Sequence, residues 1–256
     1  MTFKAMLRAA LAVLLLAPAS PARADPGQLA GIAYEEAVRG EARGGEPMPL
    51  LVVFHYSGGT AAEAFEQYDE IAGPVRILVP LGAYPKRSGL SYFPVDYYRR
   101  DPAEQFRIAL ETVEALAAFL EAAEATYGRT PVVSGISQGG DISLLLAVRH
   151  PEVVAAAAPL AAVIPEALAI PPERVRAGGP CILMMQGEAD PIVAVSRTRS
   201  LAASRLTGLP FRLTTYPDVG HDISPAMKRD YTAFIDRALR DADGPEGRRP
   251  GRCAIP

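Results

Sequence analysis

Short apolar runs alternate with amphipathic stretches along most of the chain. The runs at 50–56, 75–81, 131–136, 153–160, 181–186 and 211–216 are rich in Val, Ile, Leu and Ala and read as strands. Between them, 61–71, 103–127, 138–149, 194–206 and 225–239 read as helices. The clearest helix places Phe106, Leu110, Val113, Ala117 and Leu120 on one face, a stripe suited to packing on a sheet. Continuous apolar strands separated by helices predict an α/β protein whose central sheet is mostly parallel and covered on both faces. Residues 30–38 read as one more strand at the sheet edge, with antiparallel pairing an option. No internal repeat or interdomain linker interrupts the pattern. Residues 163–179, proline-rich and lying between two core strands, look like an inserted cap or excursion.

The first 24 residues follow a different logic. Lys4 and Arg8 precede an apolar run, then Pro18, then a small-residue stretch ending Ala22-Arg23-Ala24. That order predicts a cleaved secretory signal, because the run is too short to span a bilayer. Its removal would leave 25–256 as one domain, three charges more negative than the −3 of the full chain. The expectation is an exported protein, periplasmic or secreted, with no stable membrane insertion after cleavage. An oxidising compartment would allow Cys181 and Cys253 to pair, tying the Gly/Pro/Arg-rich tail at about 241–256 to the strand beginning at Cys181.

Composition narrows the chemistry. Lys plus Arg number 26 against 29 acids, so nothing in the balance favours a nucleic-acid partner. Three histidines and two cysteines exclude a four-cysteine zinc site and tandem zinc fingers, and no metal is expected. The chain contains no asparagine, which excludes N-linked glycosylation.

Against that background Gly135-Ile136-Ser137-Gln138-Gly139 stands out, a G-x-S-x-G set between an apolar strand and a helix. A serine on such a sharp turn presents its hydroxyl at the helix N-terminus, where backbone amides can stabilise a developing anion. The hydroxyl needs a base. His150 precedes Pro151 at a helix end, and His55 lies upstream of Ser137, out of order for this architecture. His221, in the loop Val219-Gly220-His221-Asp222, is left as the general base. Among Glu188, Asp190 and Asp218, Asp190 is preferred as its partner because it follows a core strand at the carboxyl edge of the sheet; Asp218 is the runner-up. Oxyanion donors are expected at the amide of Gln138 and in the loop His55-Tyr56-Ser57-Gly58-Gly59, with Ser57 favoured over Tyr56. His55 would brace that loop.

At these residues the chain resembles the α/β-hydrolase superfamily, in particular the phospholipase/carboxylesterase group with its acyl-protein thioesterases and bacterial carboxylesterases. The likeness runs from about Pro49 to Leu239. It rests on Gly135-Ile136-Ser137-Gln138-Gly139-Gly140, on Gly187-Glu188-Ala189-Asp190-Pro191-Ile192-Val193 and on Gly220-His221. The resemblance implies an α/β-hydrolase fold and cofactor-free hydrolysis of carboxylic or thiol esters by Ser137, Asp190 and His221, on a small-molecule ester. It also implies that the segment Gly89–Phe93 lies near the acyl-binding side, so Tyr92 and Phe93 are the expected pocket residues; Tyr84, Tyr97 and Tyr98 could extend an aromatic groove. One departure is Tyr56, which stands where the group has glycine. Two alternatives remain: amide hydrolysis on the same residues, and a catalytically silent binding protein that kept the fold.

Overall fold

The computed structural model describes residues 26–42, 44–170 and 179–242. In chain order the elements are β1 (Gly27–Leu29), β2 (Ile32–Arg39), β3 (Leu50–Phe54), α1 (Ala61–Gln67), β4 (Val75–Pro80), β5 (Tyr84–Lys86), β6 (Gly89–Ser91), α2 (Pro102–Tyr127), β7 (Val132–Ile136), α3 (Gln138–Arg149), β8 (Ala156–Leu160), β9 (Cys181–Gly187), α4 (Val195–Arg205), β10 (Phe211–Tyr216) and α5 (Pro225–Ala242). Eight strands form one sheet in the order β1-β2-β4-β3-β7-β8-β9-β10. From β4 to β10 every pairing is parallel, while β2 runs antiparallel to β4 and to β1.

The central strands are largely apolar because both faces are covered, and the polar Ser134 of β7 and Gln186 of β9 are buried and hydrogen-bonded. Along β3, Leu50, Val52 and Phe54 point into the core beneath α2 and α3, together with Val113, Leu120 and Ile142. Leu51 and Val53 point the other way and pack with Ala64 of α1 and Met227, Tyr231 and Ile235 of α5. The period-2 alternation of a strand thus divides one unbroken apolar run between two helical layers.

The helix ends follow local chemistry. Asp101 caps α2 by accepting the N–H groups of Ala103 and Glu104, Pro102 occupies the first turn, and Gly128 ends it at φ 72°. Its buried face is broader than the expected stripe: Ile108, Ala109, Leu116 and Phe119 are buried, while Phe106 and Leu110 are only half-buried. Helix α1 stops at Gln67, short of 71, and the Arg39 guanidinium donates to the carbonyls of Phe65 and Tyr68 at its end.

Three expectations change in detail. The single edge strand at 30–38 is a hairpin, β1 and β2, turned by Ala30 and Gly31, both at positive φ. The strand expected from 153 starts at Ala156, because Pro151–Val153 forms a 3-10 turn. A second hairpin, β5 and β6, stands apart from the main sheet. Of the expected excursion, 163–170 and 179 are described and contain no strand or helix, and 171–178 lie outside the described residues. The N-terminal 25 residues and the tail from 243, with Cys253, also lie outside them. Cys181 heads β9 and is not a free thiol. Among the described residues no helix is long and apolar enough to cross a membrane.

Candidate active site

The sheet's carboxyl edge gathers the loops that follow β3, β7, β9 and β10. Ser137 sits between β7 and α3 at φ 54°, ψ −117°, a strained conformation for a residue with a side chain. The neighbouring glycines permit it. A Cβ on Gly135 would lie 2.5 Å from the Gly139 carbonyl carbon, and one on Gly139 would lie 2.0 Å from the Phe54 carbonyl oxygen. The Ser137 N–H donates to the Leu160 carbonyl at 2.9 Å, which ties the turn to β8.

The three residues selected from the sequence are brought together. His221 Nε2 lies 3.0 Å from Ser137 Oγ, and His221 Nδ1 lies 2.8 Å from Asp190 Oδ2. A carboxylate only accepts, so the imidazole proton is on Nδ1, and Nε2 is left to accept from the serine hydroxyl. The Asp190 side chain is fully buried, and its Oδ1 accepts the N–H groups of Ile192 and Val193 at 2.8 and 2.9 Å. Gln186, buried in β9, donates to the Val193 carbonyl and holds the same turn from the other side. The loops bearing acid and base are stitched together: the Glu188 N–H donates to the Tyr216 carbonyl and the Ala189 N–H to the Val219 carbonyl, each at 2.9 Å. Gly187 makes this approach possible, since a Cβ there would lie 2.1 Å from the Val219 carbonyl oxygen. The two rejected acids are elsewhere engaged or placed: Glu188 is bound by Arg199 and Thr215, and Asp218 occupies a positive-φ turn.

Gln138 opens α3, so its N–H is one of the amides left without an intrahelical acceptor beside Ser137. Its buried side chain has a role the sequence did not disclose. Oε1 accepts the Tyr92 N–H at 2.8 Å, with the Ser91 hydroxyl at 3.1 Å, and Nε2 donates to the Tyr98 hydroxyl at 3.3 Å. Residues 91–98 are thereby fastened to the position after Ser137.

The loop carrying Tyr56 and Ser57 is joined to the small hairpin: the Gly58 N–H donates to the Leu90 carbonyl at 2.8 Å and the Leu90 N–H to the Gly59 carbonyl at 3.0 Å. His55 lies beneath it, buried. Its Nδ1–H donates to the Tyr56 carbonyl at 2.9 Å, its Nε2 accepts the Gly82 N–H at 3.1 Å, and its ring stacks on Tyr92 at 4.3 Å. Burial lowers its pKa from 6.5. The expected bracing role is what these contacts describe.

Tyr92 and Phe93 are placed differently from an open pocket lining. Both are buried, Tyr92 donating to the Pro80 carbonyl at 2.6 Å and Phe93 stacked on Tyr97. Tyr92 also borders a cavity of about 430 Å³ with Leu81, Pro94, Ile108 and Leu116, whose lining includes none of Ser137, Asp190 and His221. The aromatic ring at the surface beside Gln138 is Tyr98. Spacing could not distinguish these rings, because burial here depends on which loop crosses α3. Also missed was Asp141 in the first turn of α3: it accepts the Val163 N–H at 2.7 Å, and burial pushes its carboxyl up to about 7. Among the described residues, no group of three His, Cys, Asp or Glu side chains is arranged to hold a metal.

A parallel sheet wrapped by helices, with a serine elbow after β7 facing a histidine and a carboxylate from the β10 and β9 loops, has the architecture of an α/β-hydrolase. Solved structures share the fold: esterase PE8 (21% identity, 81% of this chain and 99% of that one, TM-score 0.67), the Bacillus cereus carboxylesterase (17%, 80% and 94%, 0.62) and a Mesorhizobium loti carboxylesterase (21%, 81% and 95%, 0.62). The Esterase family matches residues 52–238, and the chain belongs to it. No curated protein matches the chain by sequence.

Proposed function

We propose that this chain is an exported serine esterase acting on small carboxylic esters, and on thiol esters by the same route. The observation that carries the reading is the linear relay from Ser137 Oγ through His221 to Asp190, at 3.0 and 2.8 Å. Ser137 Oγ attacks the ester carbonyl carbon as its proton passes to His221 Nε2, and Asp190 holds the imidazolium that forms. The carbonyl π electrons move onto oxygen, which meets the amides of Gln138 and Ser57. Collapse expels the alcohol, which takes the proton from Nε2 and leaves an acyl-serine. Water, activated by the same nitrogen, then releases the acid and restores the hydroxyl.

Export is supported by the basic, apolar and A-x-A segments of residues 1–24, and the Cys181–Cys253 bridge by the blocked thiol of Cys181. N-terminal sequencing of the protein from a periplasmic or culture fraction is expected to begin at Asp25. Peptide mapping without reductant should recover the two cysteine peptides joined.

A fluorophosphonate probe tests the chemistry directly. Labelling of the wild type at Ser137, absent in Ser137→Ala, supports the reading; a correctly folded wild type that takes no label sinks it. Turnover of p-nitrophenyl esters against matched amides tests the choice of ester, with amide preference overturning it.

A further inference from the structure

Two cationic side chains, Lys86 and Arg87, lie beside the Tyr56–Ser57 loop, in a chain that is acidic overall. Lys86, the last residue of β5, extends its ammonium to the Ser57 hydroxyl at 2.6 Å and over the Tyr98 ring at 4.9 Å. Both partners are neutral. No carboxylate lies within ion-pairing distance of Lys86 among the described residues. Desolvation, then the nearby Arg87 charge, lowers the lysine pKa, as expected of a cation with no counter-ion. Arg87 packs its stem against Gly58, and its charge is felt at the Tyr56 hydroxyl. The nearest acid to that hydroxyl, Glu63, is engaged by the Thr60 N–H and hydroxyl and by Tyr56 itself. The ammonium is therefore one hydroxyl away from an expected oxyanion donor. Through Tyr98 and the Gln138 side chain it is also linked to the residue after Ser137.

We infer that Lys86, supported by Arg87, is a specificity-determining cation that selects esters carrying a carboxylate close to the scissile carbonyl. The inference rests on the assignment of Ser137 as nucleophile and of the Ser57 loop as oxyanion donor. A substrate carboxylate would supply the counter-ion that the described residues do not, and a partly desolvated ammonium gains more from that pairing than a fully hydrated one. The hydroxyl of Ser57 and the ring of Tyr98 hold the side chain in place, reducing the entropy lost on binding.

Mono-p-nitrophenyl glutarate and p-nitrophenyl butyrate share a leaving group and differ in the acyl-chain charge, so their ratio of kcat/KM reads the preference. The wild type is expected to favour the glutarate by about fivefold to tenfold, mainly through KM. Lys86→Met should erase that ratio, Lys86→Arg should keep most of it, and Lys86→Glu should invert it. Raising salt to about 1 M should compress the wild-type ratio, a response that lost packing would not produce. O-acetylglycolate against ethyl acetate carries the charge on the alcohol side, so the same variants identify which half of the ester meets Lys86. Turnover of the neutral ester with no charge preference in either pair overturns the inference while leaving the esterase reading intact. Equal loss on both members of each pair in Lys86→Met also overturns it, since the lysine would then act only on the loop. A folded wild type that turns over neither ester brings down the esterase reading, and this inference with it.

Discussion

His55 and His221 both stand beyond the carboxyl end of a strand of the main sheet, yet they differ in everything that matters for proton transfer. His55 follows β3 directly, lies buried, and spends both ring nitrogens on backbone groups, one on the Tyr56 carbonyl and one on the Gly82 N–H. His221 follows β10 by a longer loop, and its nitrogens face a carboxylate and a hydroxyl. A ring whose nitrogens are both claimed by rigid amides can neither accept a proton nor give one without breaking the loop it holds. A ring between an acid and a hydroxyl can do both. Partner chemistry, more than position at the sheet edge, separates the ring that braces a loop from the ring proposed as base.

The sharpest way to break this contrast is at the hydroxyl. Ser137→Ala is expected to reduce kcat on p-nitrophenyl butyrate by about 10⁶-fold while leaving the thermal midpoint within a few degrees. Asp190→Asn should lower kcat by about 10⁴-fold, because an amide side chain no longer dictates the tautomer of His221; steady-state rates across pH measure it. A loss below tenfold would mean that His221 is oriented by something else.

His55→Gln tests the other half. It should cost about 1–3 kcal/mol of stability, read from the urea midpoint at constant slope, with kcat reduced less than tenfold. The folded-state pKa of His55 is depressed below 6.5, so the unfolded chain binds the extra proton first as pH falls. The stability contributed by the neutral ring is complete above that value and lost on acidification toward the folded pKa. The wild-type thermal midpoint should therefore fall more steeply than that of His55→Gln as pH drops from about 6.5.

Asp141 provides the smallest effect and a useful background. Its carboxyl is raised from 3.8 to about 7, so the folded chain keeps a proton that the unfolded chain has released. The associated stability is complete below 3.8 and lost as pH rises toward 7. Asp141→Asn keeps an acceptor for the Val163 N–H and removes that slope. Its midpoint should exceed the wild type's by about 2–4 °C near pH 8, and pH scans in this background isolate the His55 contribution.

Much of the molecule is legible in its sequence. The apolar runs of β3 and β8, and the largely apolar β4, β7 and β9, point to strands covered on both sides, and Gly135 to Gly140 marked a tight turn. With three histidines available, chain order against His55 and the helix-end position of His150 before Pro151 left His221. What escaped was decided by neighbours distant in sequence. The β5–β6 hairpin is short, polar and stabilised by pairing with the Gly58–Gly59 turn, so no periodicity announces it. Tyr92 and Tyr98 look alike in the sequence. One is enclosed by His55 and Pro80 and the other lies at the surface, because the Gln138 amide fixes the path between them. The tail cysteine and the signal segment were read from composition and order, and both lie outside the described residues.

Gly187 has a mechanical consequence. Among the described residues β10 is the outermost strand on its side of the sheet and pairs only with β9, so the histidine loop lies at that edge. The missing side chain at Gly187 lets that loop lie directly on the strand carrying the acid. The loops carrying His221 and Asp190 are therefore clasped along one edge, so a shift of that edge away from β7 would carry both side chains together and leave their mutual contact unbroken.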